Sequence, residues 1–273
     1  MLKALRIVTI VLFVVAVGLF SMFYIHEKRT TDLTIPEIKV QEEMIEVSIS
    51  ATDKDLLKGV TAFDEKDGDI TERIVVESVS PFLEDGICKV TYAVCDSDKH
   101  VVKNSRNIKY IDYTPPKFTM KRSMVFSVDE EVDIIDSIGA VDSIDGDISN
   151  KVVITATDYS TDTLGVFTVT LQATNSMGDI VYLDLPLHIE EVSVAAPTVE
   201  LKEYLMYVKK GEKPDFKNNI SAVSTRSGQA IPYESEISTN FDSDTPGVYS
   251  VHYYVTTELG YVTHSILTVV VEE

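Results

Sequence analysis

Two short stretches of the chain concentrate carboxylates. Asp64, Asp67 and Asp69 lie in Asp64-Glu65-Lys66-Asp67-Gly68-Asp69, and Asp142, Asp145 and Asp147 repeat the spacing 78 residues later. Three carboxylates so close together can gather around a hard cation, and calcium takes about 6–8 oxygen ligands. Gly68 and Gly146 permit the tight turn this needs. The pattern is not an EF-hand, because no bidentate Glu follows at the required place. The same residues also close turns without metal, since Asp accepts hydrogen bonds from its own following backbone and Asp-Gly is a turn dipeptide on any fold. Calcium is therefore a candidate cofactor and the structural turn its competitor. The third copy of the region reads Ser224, Ser227, Gly228 and Gln229. A turn survives that change and a carboxylate cage does not, so calcium would bind the first two copies and not the third.

Other reactive constellations are sparse. The five histidines, His26, His100, His188, His252 and His264, form neither H-x-x-x-H nor H-E-x-x-H, so the spacing offers no zinc hydrolase. There is no G-x-S-x-G, P-loop or G-x-G-x-x-G. The expectation is a protein that is not an enzyme. Tyr254 and Tyr261 are candidate ligand contacts, as an exposed sugar platform, while Tyr249 and Tyr253 share a face expected to point inward. His252 faces away from Tyr249 and Val251 and is expected to be exposed. Cys88 and Cys95 lie seven residues apart in an alternating strand, a span of about 23 Å. A disulfide needs Cα atoms within roughly 7 Å, so the pair reads as one core thiol, Cys88, and one more exposed thiol, Cys95.

The elements that must position these residues come in three repeats. Ala62 to Thr71 matches Ala140 to Ser149. Gly86-Ile-Cys-Lys-Val-Thr-Tyr matches Gly165-Val-Phe-Thr-Val-Thr-Leu and Gly247-Val-Tyr-Ser-Val-His-Tyr. Prolines at Pro36, Pro115-Pro116 and Pro197 punctuate the starts. Three domains follow, 33–113, 114–192 and 193–273. Period-2 alternation dominates each, as in Phe167, Val169, Leu171 and Ala173 on one face. Short strands with frequent turn signals predict an all-β fold of about seven strands in two sheets per repeat.

The pattern of Gly59-Val60-Thr61-Ala62-Phe63-Asp64 with Asp67-Gly68-Asp69-Ile70-Thr71, then Gly86 to Asp96, resembles bacterial immunoglobulin-like repeat domains of the pesticidal-crystal-protein type. Such domains also occur in Gram-positive surface proteins. The second repeat matches well; the third keeps Gly247-Val-Tyr and lacks the aspartates. The resemblance covers nearly all of residues 36–273. It implies three tandem immunoglobulin-like β-sandwiches serving as spacers, stalks or adhesion modules.

Ile7 to Ile25 is a run of 19 uncharged residues, preceded by Lys3 and Arg6. That length suits a bilayer span. A cleaved signal peptide would end near Ala16-Val17-Gly18, but the apolar run continues seven residues further. The reading is a cytoplasmic tail over 1–6, a transmembrane signal-anchor over 7–25, and an extracellular remainder from about residue 26 on a single-pass plasma-membrane protein. The C-terminus shows no wall-sorting signal, so anchoring is expected to rest on this helix. With 24 basic and 44 acidic residues the net charge is −20, which disfavours nucleic acid. Runs such as Asp129-Glu130-Glu131 and Glu272-Glu273 read as solvated loops and ends. The expected function is a cell-surface stalk, adhesion or protein-interaction module whose partner is a cell-envelope protein. The alternative is a module for wall polysaccharide or peptidoglycan. The third repeat, having lost its aspartates, is the expected functional tip.

Overall fold

The computed structural model describes residues 2–30, 34–84, 86–128, 130, 133–160, 162–193 and 195–273. Asp129 and Glu131 of the acidic run lie outside the described residues. Helix α1 (Leu2–Thr30) contains the apolar stretch Arg6–His26, with mean hydropathy 2.6 and none of its window buried. Its 21 residues rise about 30 Å. By length and composition it can cross a membrane, and a signal sequence meets the same test. The chain divides into two compact units, Met1–Asp112 and Tyr113–Glu273.

The first unit carries one sandwich. Its strands are β1 (Glu37–Val40), β2 (Met44–Val47), β3 (Val60–Asp64), β4 (Gly68–Asp69), β5 (Val75–Val79), β6 (Ile87–Cys95) and β7 (Val101–Tyr110), with a short helix α2 (Asp53–Leu56) after β2. They form sheets β1-β3-β4 and β2-β7-β6-β5. Neighbours are antiparallel except β2, which runs parallel to β7. The alternating residues of β6 face inward, so Cys88, Val90, Tyr92 and Val94 are buried. The Tyr92 hydroxyl donates to the Leu56 carbonyl at 2.7 Å. Arg106, also buried, donates to the Tyr92 hydroxyl and to the Leu56 and Lys58 carbonyls. The guanidinium thus adds to the hydrogen bonding of the helix-to-strand connection between α2 and β3. Cys88 is a buried free thiol, which burial pushes up to about 11, and Cys95 is exposed.

The second unit carries two sandwiches. The first is built from β8 (Lys117–Met120), β9 (Val125–Ser127), β10 (Ile138–Asp142), β11 (Gly146–Asp147), β12 (Val153–Thr157), β13 (Gly165–Thr174) and β14 (Ile180–Glu190), in sheets β11-β10-β8 and β12-β13-β14-β9. The second is built from β15 (Thr198–Leu201), β16 (Leu205–Lys209), β17 (Ile220–Ser224), β18 (Tyr233–Thr239), β19 (Gly247–Thr257) and β20 (Val262–Glu272), in sheets β15-β17 and β16-β20-β19-β18. Strands β9 and β16 repeat the parallel pairing of β2, against β14 and β20. The all-β architecture of three tandem immunoglobulin-like sandwiches is therefore as the sequence implies, with seven, seven and six strands.

One feature departs from simple alternation. Leu267, Val269 and Val271 of β20 face the core of their own sandwich. Ile266 and Thr268 face the other way and are equally buried. Leu205, Val248 and Val270, on that outer side, pack against the core of the preceding sandwich. The Ile266 N–H donates to the Ser123 hydroxyl, and the Phe118 N–H donates to the Tyr207 hydroxyl oxygen. Within this unit the sandwiches share a face. The sheet buried on both sides follows from the nearly continuous apolar run Ile266 to Val271, broken only by Thr268.

Candidate functional site

The acidic turns take hydrogen bonds from the chain's own donors. Asp64 is buried, and its Oδ1 accepts the N–H groups of Lys66 and Asp67, both at 2.9 Å. Asp67 accepts from the Ser97 hydroxyl and N–H and from Arg73, each at 2.7 Å. Asp69 accepts the Thr71 N–H. The second copy repeats the pattern at its first two aspartates and varies the remaining partners. Asp142 Oδ1 accepts from the Ile144 and Asp145 N–H groups and its Oδ2 from Asn175. Asp145 takes the Ser176 hydroxyl and N–H and Lys151. Asp147 takes the hydroxyl and N–H of Ser149. These bonds hold the carboxyls of Asp67, Asp69, Asp145 and Asp147 below the usual carboxylate range, through the hydroxyls of Ser97, Thr71, Ser176 and Ser149 first. The arrangement pins the β3–β4 turn to the β6–β7 turn, and the β10–β11 turn to the β13–β14 turn. In the third sandwich Thr225 and Gln229 close the equivalent turn by backbone bonds, with the Thr225 hydroxyl accepting the Gln229 N–H. The turn survives without carboxylates.

A different cluster sits where the second unit's sandwiches meet. His188 and Glu190 lie two apart on β14, on the face opposite Leu187 and Ile189. His252 and Tyr254 lie two apart on β19, and Tyr254 stands directly across from His264 on β20. The two sheets bring these groups together. A ring nitrogen of His188 is 3.7 Å from Glu190 Oε1, and one of His264 is 3.4 Å from Glu190 Oε2. One ligand atom from each of His188, Glu190 and His264 lies within 4.8 Å of the others, the only such group of three among the described residues. The His252 ring centre is 5.5 Å from those of both His188 and His264. Tyr254 packs its ring on His264 at 5.1 Å and on His252 at 6.0 Å.

The donors here are not saturated. His264 Nε2 and His252 Nδ1 are buried and have no hydrogen-bond partner. The His264 side chain is 9% exposed. Burial lowers the protonation of His252 and His264 from the ordinary imidazole value. The His188 imidazole holds the Glu190 carboxyl below the usual range.

Sequence spacing did not reveal this cluster, because its members come from three strands of two sandwiches. His252 corrects the expectation of exposure. It does point away from the Val251 face, but that outer face is covered by the neighbouring sandwich and His252 is half-buried. The signal that existed was the loss of alternation in Ile266 to Val271, which marks the sheet as covered on both sides.

The two candidate tyrosines serve different surroundings. Tyr254 belongs to the histidine cluster. Tyr261 lines a cleft of about 520 Å³ together with Pro197, Ile231, Pro232 and Leu259, at the loops of the third sandwich. Leu259 at its rim is 84% exposed.

No known protein-family profile matches the chain. A stretch of 94 residues is 36% identical to an uncharacterized 81.3 kDa protein of Acholeplasma phage L2, covering 33% of this chain and 13% of the phage protein. Among solved structures, the CBM51-2 and INT domains of Clostridium perfringens ZmpB in complex with GlcNAc align over 54% of this chain and 26% of that one, at 24% identity and a TM-score of 0.23. Drosophila N-cadherin EC1-3 aligns over 89% of this chain and 90% of that one, at 15% identity and a TM-score of 0.34.

Proposed function

We propose that this chain is a non-enzymatic, membrane-anchored surface protein whose sandwiches present a binding surface at the third repeat. Helix α1 anchors it as a single-pass protein, and residues from about 26 onward lie outside the cell. The sequence resemblance to Gram-positive surface repeats supports an envelope setting. The observation that carries the reading is the apolar cleft at the third sandwich, with Leu259 standing 84% exposed beside it. An exposed large aliphatic group at an apolar cleft suits a protein partner in the envelope. The acidic turns serve as internal braces in this reading, and calcium has no role.

A second reading, wall polysaccharide or peptidoglycan, rests on Tyr261 in the same cleft, whose ring offers a face for a sugar. The test incubates the full-length protein in detergent micelles with purified Gram-positive cell walls, and in parallel crosslinks it in membranes. A crosslinked envelope protein lost in Leu259→Asp supports the first reading. Saturable pelleting with walls, lost in Tyr261→Ala and kept in Tyr254→Ala, selects the second. Crosslinking and pelleting that both ignore the cleft variants would overturn the assignment of this surface.

A further inference from the structure

We propose that His188, Glu190 and His264, with His252 as fourth ligand, form a zinc site that ties the two sandwiches of the second unit together. The proposal is independent of what the third-repeat cleft binds.

Three imidazoles and a carboxylate form a donor set suited to a borderline dication such as zinc. Calcium prefers oxygen ligands throughout. Zinc–nitrogen bonds of about 2.0–2.1 Å place tetrahedral ligand atoms roughly 3.3 Å apart. The 3.4 and 3.7 Å contacts of Glu190 with His264 and His188 already approach that spacing. The remaining separations within the core three are none above 4.8 Å, and the His252 ring centre lies 5.5 Å from those of both other histidines. The second observation is independent of proximity. His252 Nδ1 is a buried polar atom with no partner, and such an atom is costly unless something fills it; His264 meets Glu190 through its own Nδ1. The Tyr254 ring packed on His252 and His264 shields the cluster on one side. Glu190 and His188 come from one sandwich and His252 and His264 from the other. A metal here acts as a strut, and four protein ligands leave no open position for catalysis.

The experiment uses the full-length chain in detergent micelles after removal of metal with a chelator. Zinc chloride is titrated by calorimetry, and bound metal is counted after dialysis. The expected result is one zinc per chain, undisturbed by excess calcium chloride. His264→Gln and Glu190→Gln should each weaken it at least about tenfold, since even outer-shell losses cost that much. Cobalt chloride added to the unaltered protein reads the coordination without any variant. Intense visible absorption of a four-coordinate ion is expected, and it should vanish when zinc is added. Zinc binding that is absent, or that is unchanged in both variants while their circular dichroism matches the parent, overturns the proposal. So does a weak cobalt spectrum of the six-coordinate kind.

Discussion

The acidic turns and the histidine junction are both collections of metal-capable side chains, and they differ in where their lone pairs go. Asp67 and Asp145 each accept a hydroxyl, a backbone N–H and a cationic side chain. His252 and His264 each keep a buried ring nitrogen with no partner. The turns have the more suggestive sequence and the junction the more suggestive structure. Residue type therefore nominates a site, and where the lone pairs at those residues already go sorts the nominations.

The comparison breaks most sharply at Asp142. Its side chain is 3% exposed and receives three hydrogen bonds. Asp142→Ala should destabilise the second unit by about 3 kcal/mol, because buried donors lose their acceptor. Urea denaturation measures it, and a loss within the error of the parent would make the turns dispensable. Thr225→Ala in the third sandwich should cost well under half of that.

Added metal is the next largest effect. Zinc at about 100 times its dissociation constant should stabilise by about 2.7 kcal/mol, seen as a rise in Tm of several degrees. Calcium should leave Tm where it is. A calcium-dependent rise abolished by Asp67→Asn with Asp145→Asn would reverse the two assignments.

Acid sharpens the contrast more gently. The carboxyls of Asp67 and Asp145 sit below their ordinary value of 3.8 in the folded chain. Their contribution is complete above that value and is lost as the pH falls through the lower folded value. The acid unfolding midpoint should move in Asp67→Asn and Asp145→Asn, with a shallower loss below pH 3.8. The smallest effect belongs to Lys151→Ala. Its pair with Asp145 is partly exposed and contributes no more than about 0.5 kcal/mol, detectable only by a paired denaturation series.

Much of the fold was legible in residues 86–94, 165–173 and 247–255, where strict alternation put one face inside. Cys88 and Tyr253 are buried and Cys95 is exposed, as that alternation requires. The turn reading of Asp64 and Asp142 was also legible, since Asp-Gly chemistry is local. What was not legible was the junction. His188 is separated from His252 and His264 by an entire intervening sandwich sheet in sequence, and no spacing rule spans that. The outer residues Ile266, Thr268 and Val270 held the clue. An alternating strand has a polar outer row, and theirs is largely apolar because another sandwich covers it.

Each sandwich also closes by laying an early strand parallel to its last. Strand β2 matches four residues of β7, β9 three of β14, and β16 five of β20. Tension applied at the two ends of a sandwich loads such a parallel pair in shear, so its bonds must rupture together instead of unzipping one at a time. The β9 seam is the shortest of the three, so the middle sandwich is expected to be the first to give way. Single-molecule pulling should show it yielding at the lowest force, and a length of Val125–Ser127 extended by strand-forming residues should raise that force. A chain of this kind pulled at its ends would have its breaking order set by how many rungs each clasp contains.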